Sequence, residues 1–216
     1  MKILLSIAAL AAGPLMAAEG PPPGFTPIFN GQNIAGWHIS MTNHHGDTSE
    51  WRIADGALTA RQNRPGNGGI LLTDEEYGDF EIYLEIKPDF GCDGGLFLRS
   101  TESGQAYQVM LDYLEGGNVG GVYGERLEGV ESKPSENWRE AWKEDDWNAL
   151  RARIEGEAPH IQVWLNGERI TDFEADENHL PTGRTHGHIA LQIHGGDRCN
   201  PDLQHRFRNV AVKPLD

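Results

Sequence analysis

An all-β antiparallel sandwich is the fold class this chain predicts, and three observations carry the prediction. Apolar residues recur at every second position, as in Phe80-Glu81-Ile82-Tyr83-Leu84-Glu85-Ile86, the period of a half-buried strand. Turn formers are dense, with 27 Gly and 12 Pro among 216 residues. Hardly any stretch holds a 3.6-residue period, which leaves many short strands joined by turns.

Taken in order, the chain opens on a leader rather than on structure. Lys2 supplies one positive charge, residues 3–15 are an apolar run, and Ala17 and Ala18 precede Glu19-Gly20-Pro21-Pro22-Pro23. These are the flanks and length of a signal peptide spanning 1–18, too short to cross a membrane. No Cys follows the run, so no lipid anchor is expected, and a periplasmic or secreted protein of one domain, 19–216, is. The first hairpin pairs Trp51-Arg52-Ile53 with Ala57-Leu58-Thr59-Ala60 across Ala54-Asp55-Gly56. Strands then follow over 80–86, 95–99, 107–113, 121–125, 148–154 and 160–165. Asn166-Gly167 marks a tight hairpin, because both turn positions want positive φ. Strands over 188–194 and 206–212 close the chain, and only 135–146 could hold a short helix.

Composition excludes one class of partner. Thirty-three Asp+Glu against 18 Lys+Arg gives a net charge of −15, without the basic footprint that nucleic acid requires. In an exported chain the two cysteines, Cys92 and Cys199, are expected to form a disulfide. On the chain-entropy model, closing so long a loop stabilises by roughly 4–5 kcal/mol.

Sorting strand residues by face separates a core side from a polar side. Leu96 and Leu98 point one way, which sends Phe97 and Arg99 the other. Tyr107, Val109 and Leu111 oppose Gln108, Met110 and Asp112; Tyr123 and Glu125 share a face opposite Val122. Ile189, Leu191 and Ile193 oppose His188, Ala190, Gln192 and His194. Solvated faces usually carry Thr, Ser, Lys and Glu; Arg, Gln, Asp, Tyr and His are types that bind sugar hydroxyls and move protons. Asn43-His44-His45-Gly46-Asp47 places two imidazoles in a loop able to fold over such a face, with His45 as the candidate contributor.

At these residues the chain resembles the 3-keto-disaccharide hydrolase family. The resemblance rests on FTPIFNGQNIAGW at 25–37, WRIADGALTA at 51–60, GGILLTDEEYGDFEIYLEIK at 68–87, GGLFLRS at 94–100 and AYQVMLD at 106–112. It continues through GGVYGE at 120–125, VWLNGERITDF at 163–173 and HIALQIHGG from 188, in the family's order. It implies a concanavalin-like jelly-roll sandwich and cleavage of glycosides already oxidised to a ketone at C3. Such a ketone acidifies the C2 hydrogen, so a base removes it, the C1 substituent leaves by β-elimination, and water then adds. That chemistry wants a base near neutral pKa, an acid for the departing oxygen, and a cationic group for the enolate. A divalent metal of unstated identity could serve as Lewis acid.

The roles follow as expectations. His194 is the candidate base or metal ligand, Glu125 the acid or second ligand, and Arg99 the holder of the keto oxygen. Gln108, Asp112, Tyr123, Gln192, Lys143 and His45 are the candidate substrate-binding residues. Two departures limit the transfer: Lys143 precedes Glu144-Asp145-Asp146 where the family usually has a short Pro-Gly-Glu link, and Tyr107 stands where one subgroup has Glu. The insertion at 126–139 is expected to form a rim that sets which aglycone is accepted, or a mobile loop. A carbohydrate-binding module and a structural sandwich are the alternatives; the latter requires that Arg99, Gln108, Glu125 and His194 do not share one cleft.

Overall fold

The computed structural model describes residues 20–215, so the expected leader lies outside them. Fourteen strands run in chain order: β1 (Thr26–Pro27), β2 (Trp37–Ile39), β3 (Trp51–Ala54), β4 (Ala57–Ala60), β5 (Gly69–Tyr77), β6 (Phe80–Ile86) and β7 (Gly94–Ser100). After β8 (Ala106–Leu111) and β9 (Val119–Glu125) comes one short helix, α1 (Trp138–Ala141), inside the segment expected to hold one. The rest are β10 (Asn148–Glu155), β11 (His160–Leu165), β12 (Glu168–Glu174), β13 (Gly187–Ile193) and β14 (His205–Pro214). Strands β1, β2 and β5 are additions to the sequence reading.

Two antiparallel sheets form the sandwich. One has the order β12-β11-β10-β6-β14-β4-β3, with β1 also paired to β14; the other is β2-β5-β13-β7-β8-β9. Alternation decides what lies between them. On β10, Asn148, Leu150, Ala152 and Ile154 are buried while the residues between are partly exposed, and Ile82, Leu84, Leu96, Leu98, Val109, Leu111, Leu191 and Ile193 join the same core. Burying a side chain of this size contributes about 1.5–3 kcal/mol, so the inward rows hold the sheets face to face.

The outer faces differ. On the larger sheet, Glu81 meets Arg151 at 3.0 Å, Glu85 meets Arg208, and Arg151 lies over the Trp164 ring. That face is occupied by its own ion pairs. On the smaller sheet, Ile70, Leu72, Phe97, Ala106 and Ala190 form a second apolar cluster, beyond which stand Gln108, Gln192, Glu125 and His194.

A bulge corrects one expectation. On β7 and β13 the register runs from Ala190 opposite Phe97 to His188 opposite Ser100, so Leu98 and Arg99 together face Ile189. Arg99 takes φ 53°, as a bulge residue does, and its side chain leaves the outer face. The cysteines are bridged, with Cα atoms 4.2 Å apart. The 126–139 insertion is paired rather than free: Lys133 exchanges backbone hydrogen bonds with Val122, and Ser135 binds Asn118 and the Val119 carbonyl, covering the β9 edge.

Candidate active site

Period-2 geometry, two loops and the disulfide build one cavity of about 400 Å³ on the outer face of the smaller sheet. Its lining comprises Gln108 and Met110 of β8, Asp112 just after it, Tyr123 and Glu125 of β9, His194 just after β13, Asp93 just before β7, and His44 and Arg198 from loops. The register explains the convergence. Gly95 faces both Gln192 and Met110, and Cys92 pairs with Tyr113. Asp93 therefore sits between His194, whose amide donates to its carbonyl at 3.1 Å, and Asp112.

The loop at 43–46 delivers the imidazoles. The Asn43 side chain accepts from the His45 amide at 2.9 Å and donates to the Ser40 and Gly46 carbonyls, while Gly46 takes φ 126°. That irregular backbone brings adjacent residues to one side, which a regular strand forbids. The His44 and His45 rings lie 3.9 Å apart, and His45 and His194 4.9 Å apart. Glu125 Oε1 is 3.2 Å from His44 Nε2 and 3.7 Å from His45 Nε2. The His44 pKa is pushed down, first by burial and then by the neighbouring His45, so a neutral ring is favoured there.

An amide relay fixes the buried ring. Gln108 Nε2 donates to the Gly94 carbonyl and to Gln192 Oε1, at 3.3 and 3.1 Å. Gln192 must then turn its NH₂ toward His45 Nε2, 2.9 Å away, which makes that nitrogen an acceptor. Gly95 leaves room for the pair: a Cβ there would stand 2.5 Å from Gln108 Nε2 and 2.8 Å from Gln192 Oε1. The His194 Nδ1 faces the Gly195 carbonyl, so it carries the hydrogen and Nε2 keeps a free lone pair.

At its other end the cavity holds a carboxyl pair on one cation. Arg198 Nε donates to Asp93 Oδ2 at 2.5 Å, and its NH2 group to Asp112 Oδ2 at 3.0 Å. Burial, with Asp93 second, pushes the Asp112 pKa up against the pull of Arg198. The disulfide sits beside two of these three groups, since Asp93 follows Cys92 and Arg198 precedes Cys199.

Of the expected residues, Gln108, Asp112, Tyr123, Glu125 and His194 line the cavity, and His45 and Gln192 stand directly behind it. Arg99 does not belong: it is fully buried, bonding the Gly78 and Gly156 carbonyls and Asp79, in the turns before β6 and after β10. Lys143 is not among the lining residues; its backbone is clamped by the Asn148 side chain. The insertion contributes no lining residue, so it is no rim of this cavity. As for a metal, His44, His45 and Glu125 are grouped with donor atoms within 4.8 Å of one another, whereas the expectation joined Glu125 to His194. Asp93 and Arg198 were missed, although both adjoin the cysteines expected to be bridged.

The chain is thus a two-layer antiparallel sandwich with a cleft of histidine, carboxylate and amide groups on one outer face. A family model described as the 3-keto-alpha-glucoside-1,2-lyase-like domain matches residues 24–213, and the chain belongs to that family. Among solved structures it is similar to a protein assigned to the glycosyl hydrolases from Parabacteroides distasonis ATCC 8503, at 22% identity and TM-score 0.62 over 88% of this chain and 99% of that one. A second such protein from the same organism gives 19% and 0.58, over 89% and 94%. A carbohydrate binding module from Bacillus subtilis gives 15% and 0.58, over 82% and 95%. At such identities these likenesses establish the fold. A comparison with curated proteins gives no match.

Proposed function

We propose that this protein, exported through its leader, cleaves glycosides whose sugar carries a ketone at C3, by elimination across C1–C2 followed by hydration. The observation that supports this most is the convergence of His194, Glu125 and Gln108 with Arg198 and Asp112 in one cavity, in a chain of that family. His194 Nε2, with its lone pair free, takes the C2 proton. The Arg198 guanidinium, the one such group in the lining, receives the role expected of Arg99 and faces the charge that develops on the C3 oxygen. The enolate then collapses: the C3 carbonyl re-forms, C1=C2 forms and the C1–O bond breaks. Gln108 and Tyr123 orient hydroxyls and ring.

Glu125, between two imidazoles, is held more as a ligand or orienting group is held than as a free acid. A divalent ion would be bound by His44, His45 and Glu125, a donor set that suits a first-row metal, and would supply Lewis acidity. The His45 Nε2 would have to release Gln192 to join it.

Incubation with a 3-keto-glucoside, followed by ultraviolet detection of the enone and by release of the C1 alcohol, tests the reading with and without chelator. His194→Ala and Glu125→Gln are each expected to lower turnover about 100-fold or more. Turnover within threefold of the parent in both variants would overturn these assignments. Binding of the sugar with no turnover would instead favour a non-catalytic carbohydrate-binding module.

A further inference from the structure

The reaction proposed above needs a proton for the departing C1 oxygen, and Glu125 is engaged elsewhere. We propose that Asp112 delivers that proton, with Arg198 and Asp93 positioning it. The inference rests on the elimination reading.

Placement comes first. His194, Asp93 and Asp112 stand abreast on three neighbouring chain segments, so the backbones at His194 and Asp112 are two strand spacings, about 10 Å, apart. Both line the same cavity, and a sugar ring between them would meet a base on one side and a carboxyl group on the other. The state of the carboxyl comes second. Asp112 and Asp93 share one guanidinium, an arrangement that leaves the pair one positive charge short. Asp93 is the member held at 2.5 Å. Asp112 has an oxygen, Oδ1, that is buried without any hydrogen-bond partner, which opposes its ionisation. Of the two, Asp112 is the one that keeps a proton, while its side chain remains 17% exposed.

The step balances. As the enolate collapses and the C1–O bond breaks, the leaving oxygen takes the bond's electron pair and the Asp112 proton, departing as an alcohol. Asp112 is left as a carboxylate, balanced by Arg198. When water adds to C1 of the enone, Asp112 accepts its proton and is reset, while the C2 proton returns from His194.

The test exploits the leaving group. An acidic phenol such as nitrophenol departs without assistance, whereas an alkyl alcohol or a second sugar does not. Asp112→Asn is expected to lose about 100-fold or more on a methyl 3-keto-glucoside and less than about 10-fold on the nitrophenyl one. Equal losses on both substrates, or no loss on the methyl glycoside, would overturn the proposal. If Asp112→Asn does not fold, Asp112→Glu, which moves the carboxyl group but keeps it, must still lose more on the alkyl substrate, and equal loss again refutes the role. Should the parent protein turn over neither substrate, the elimination reading itself has failed and this inference with it. Turnover by the parent with an unselective variant removes the proton donor alone.

Discussion

Single residues change meaning with one backbone angle. Arg99 stands in a strand whose alternation would aim it outward beside Phe97. The bulge gives it φ 53°, and its guanidinium instead joins two hairpin turns through the Gly78 and Gly156 carbonyls and Asp79. Arg99→Met removes three buried donors and takes the guanidinium from the Gly78 and Gly156 carbonyls, while Asp79 keeps the Gly156 amide. It is expected to destabilise by about 3 kcal/mol, read by urea unfolding, while the folded fraction keeps its turnover of a 3-keto-glucoside. Loss of turnover at unchanged stability would restore the sequence-based assignment. No periodicity signals such an inversion, because a bulge is set by the neighbouring strands rather than by the residue that occupies it.

At the scale of elements, the disulfide does more than close a loop. It joins the segment before β7 to the loop before β14, and its two neighbours, Asp93 and Arg198, form the ion pair at one end of the cavity. Replacing both cysteines by Ser is expected to cost roughly 4–5 kcal/mol of stability. Turnover is also expected to fall, since Arg198 is 44% exposed and the bridge fixes the loop from which its side chain reaches Asp93 and Asp112. Thermal melts and kinetics on the double variant check the two effects separately; an unchanged melting temperature would refute the first. The 43–46 loop makes a similar point. Two adjacent histidines face one carboxylate because Asn43 and Gly46 bend the chain. The sequence shows the histidines but not the bend.

Across the molecule, a buried titratable group lies beneath the site. His205 is fully buried between the sheets, stacked on Phe207, with neither ring nitrogen hydrogen-bonded. Burial pushes its pKa down to about 4. In the unfolded chain the ring titrates near 6.5, so below that pH the unfolded state takes up a proton the folded state refuses. Its contribution is complete above pH 6.5 and is lost as pH falls toward 4, by up to on the order of 3 kcal/mol. Denaturant unfolding at stepped pH should show this slope, and His205→Phe should flatten it; an identical slope in the variant would refute it. Among the described residues no helix is long and apolar enough to cross a membrane, and the disulfide is consistent with the export proposed.

Much of the fold was determined by the sequence alone, because strand period and turn chemistry are local properties and two cysteines allow a single pairing. Apolar residues at every second position on 80–86 and 148–154 dictate a buried inner face wherever the strands pair. The same alternation was enough to place Gln108, Tyr123, Glu125 and His194 on the opposite side. Tertiary structure alone decided which of the polar groups meet. Asp93 and Arg198 are 105 residues apart and touch only because the bridge beside them fixes two loops, and Arg99 departs only because Ile189 faces two residues of β7. Contacts of that kind depend on register between distant segments, which no single stretch of chain encodes.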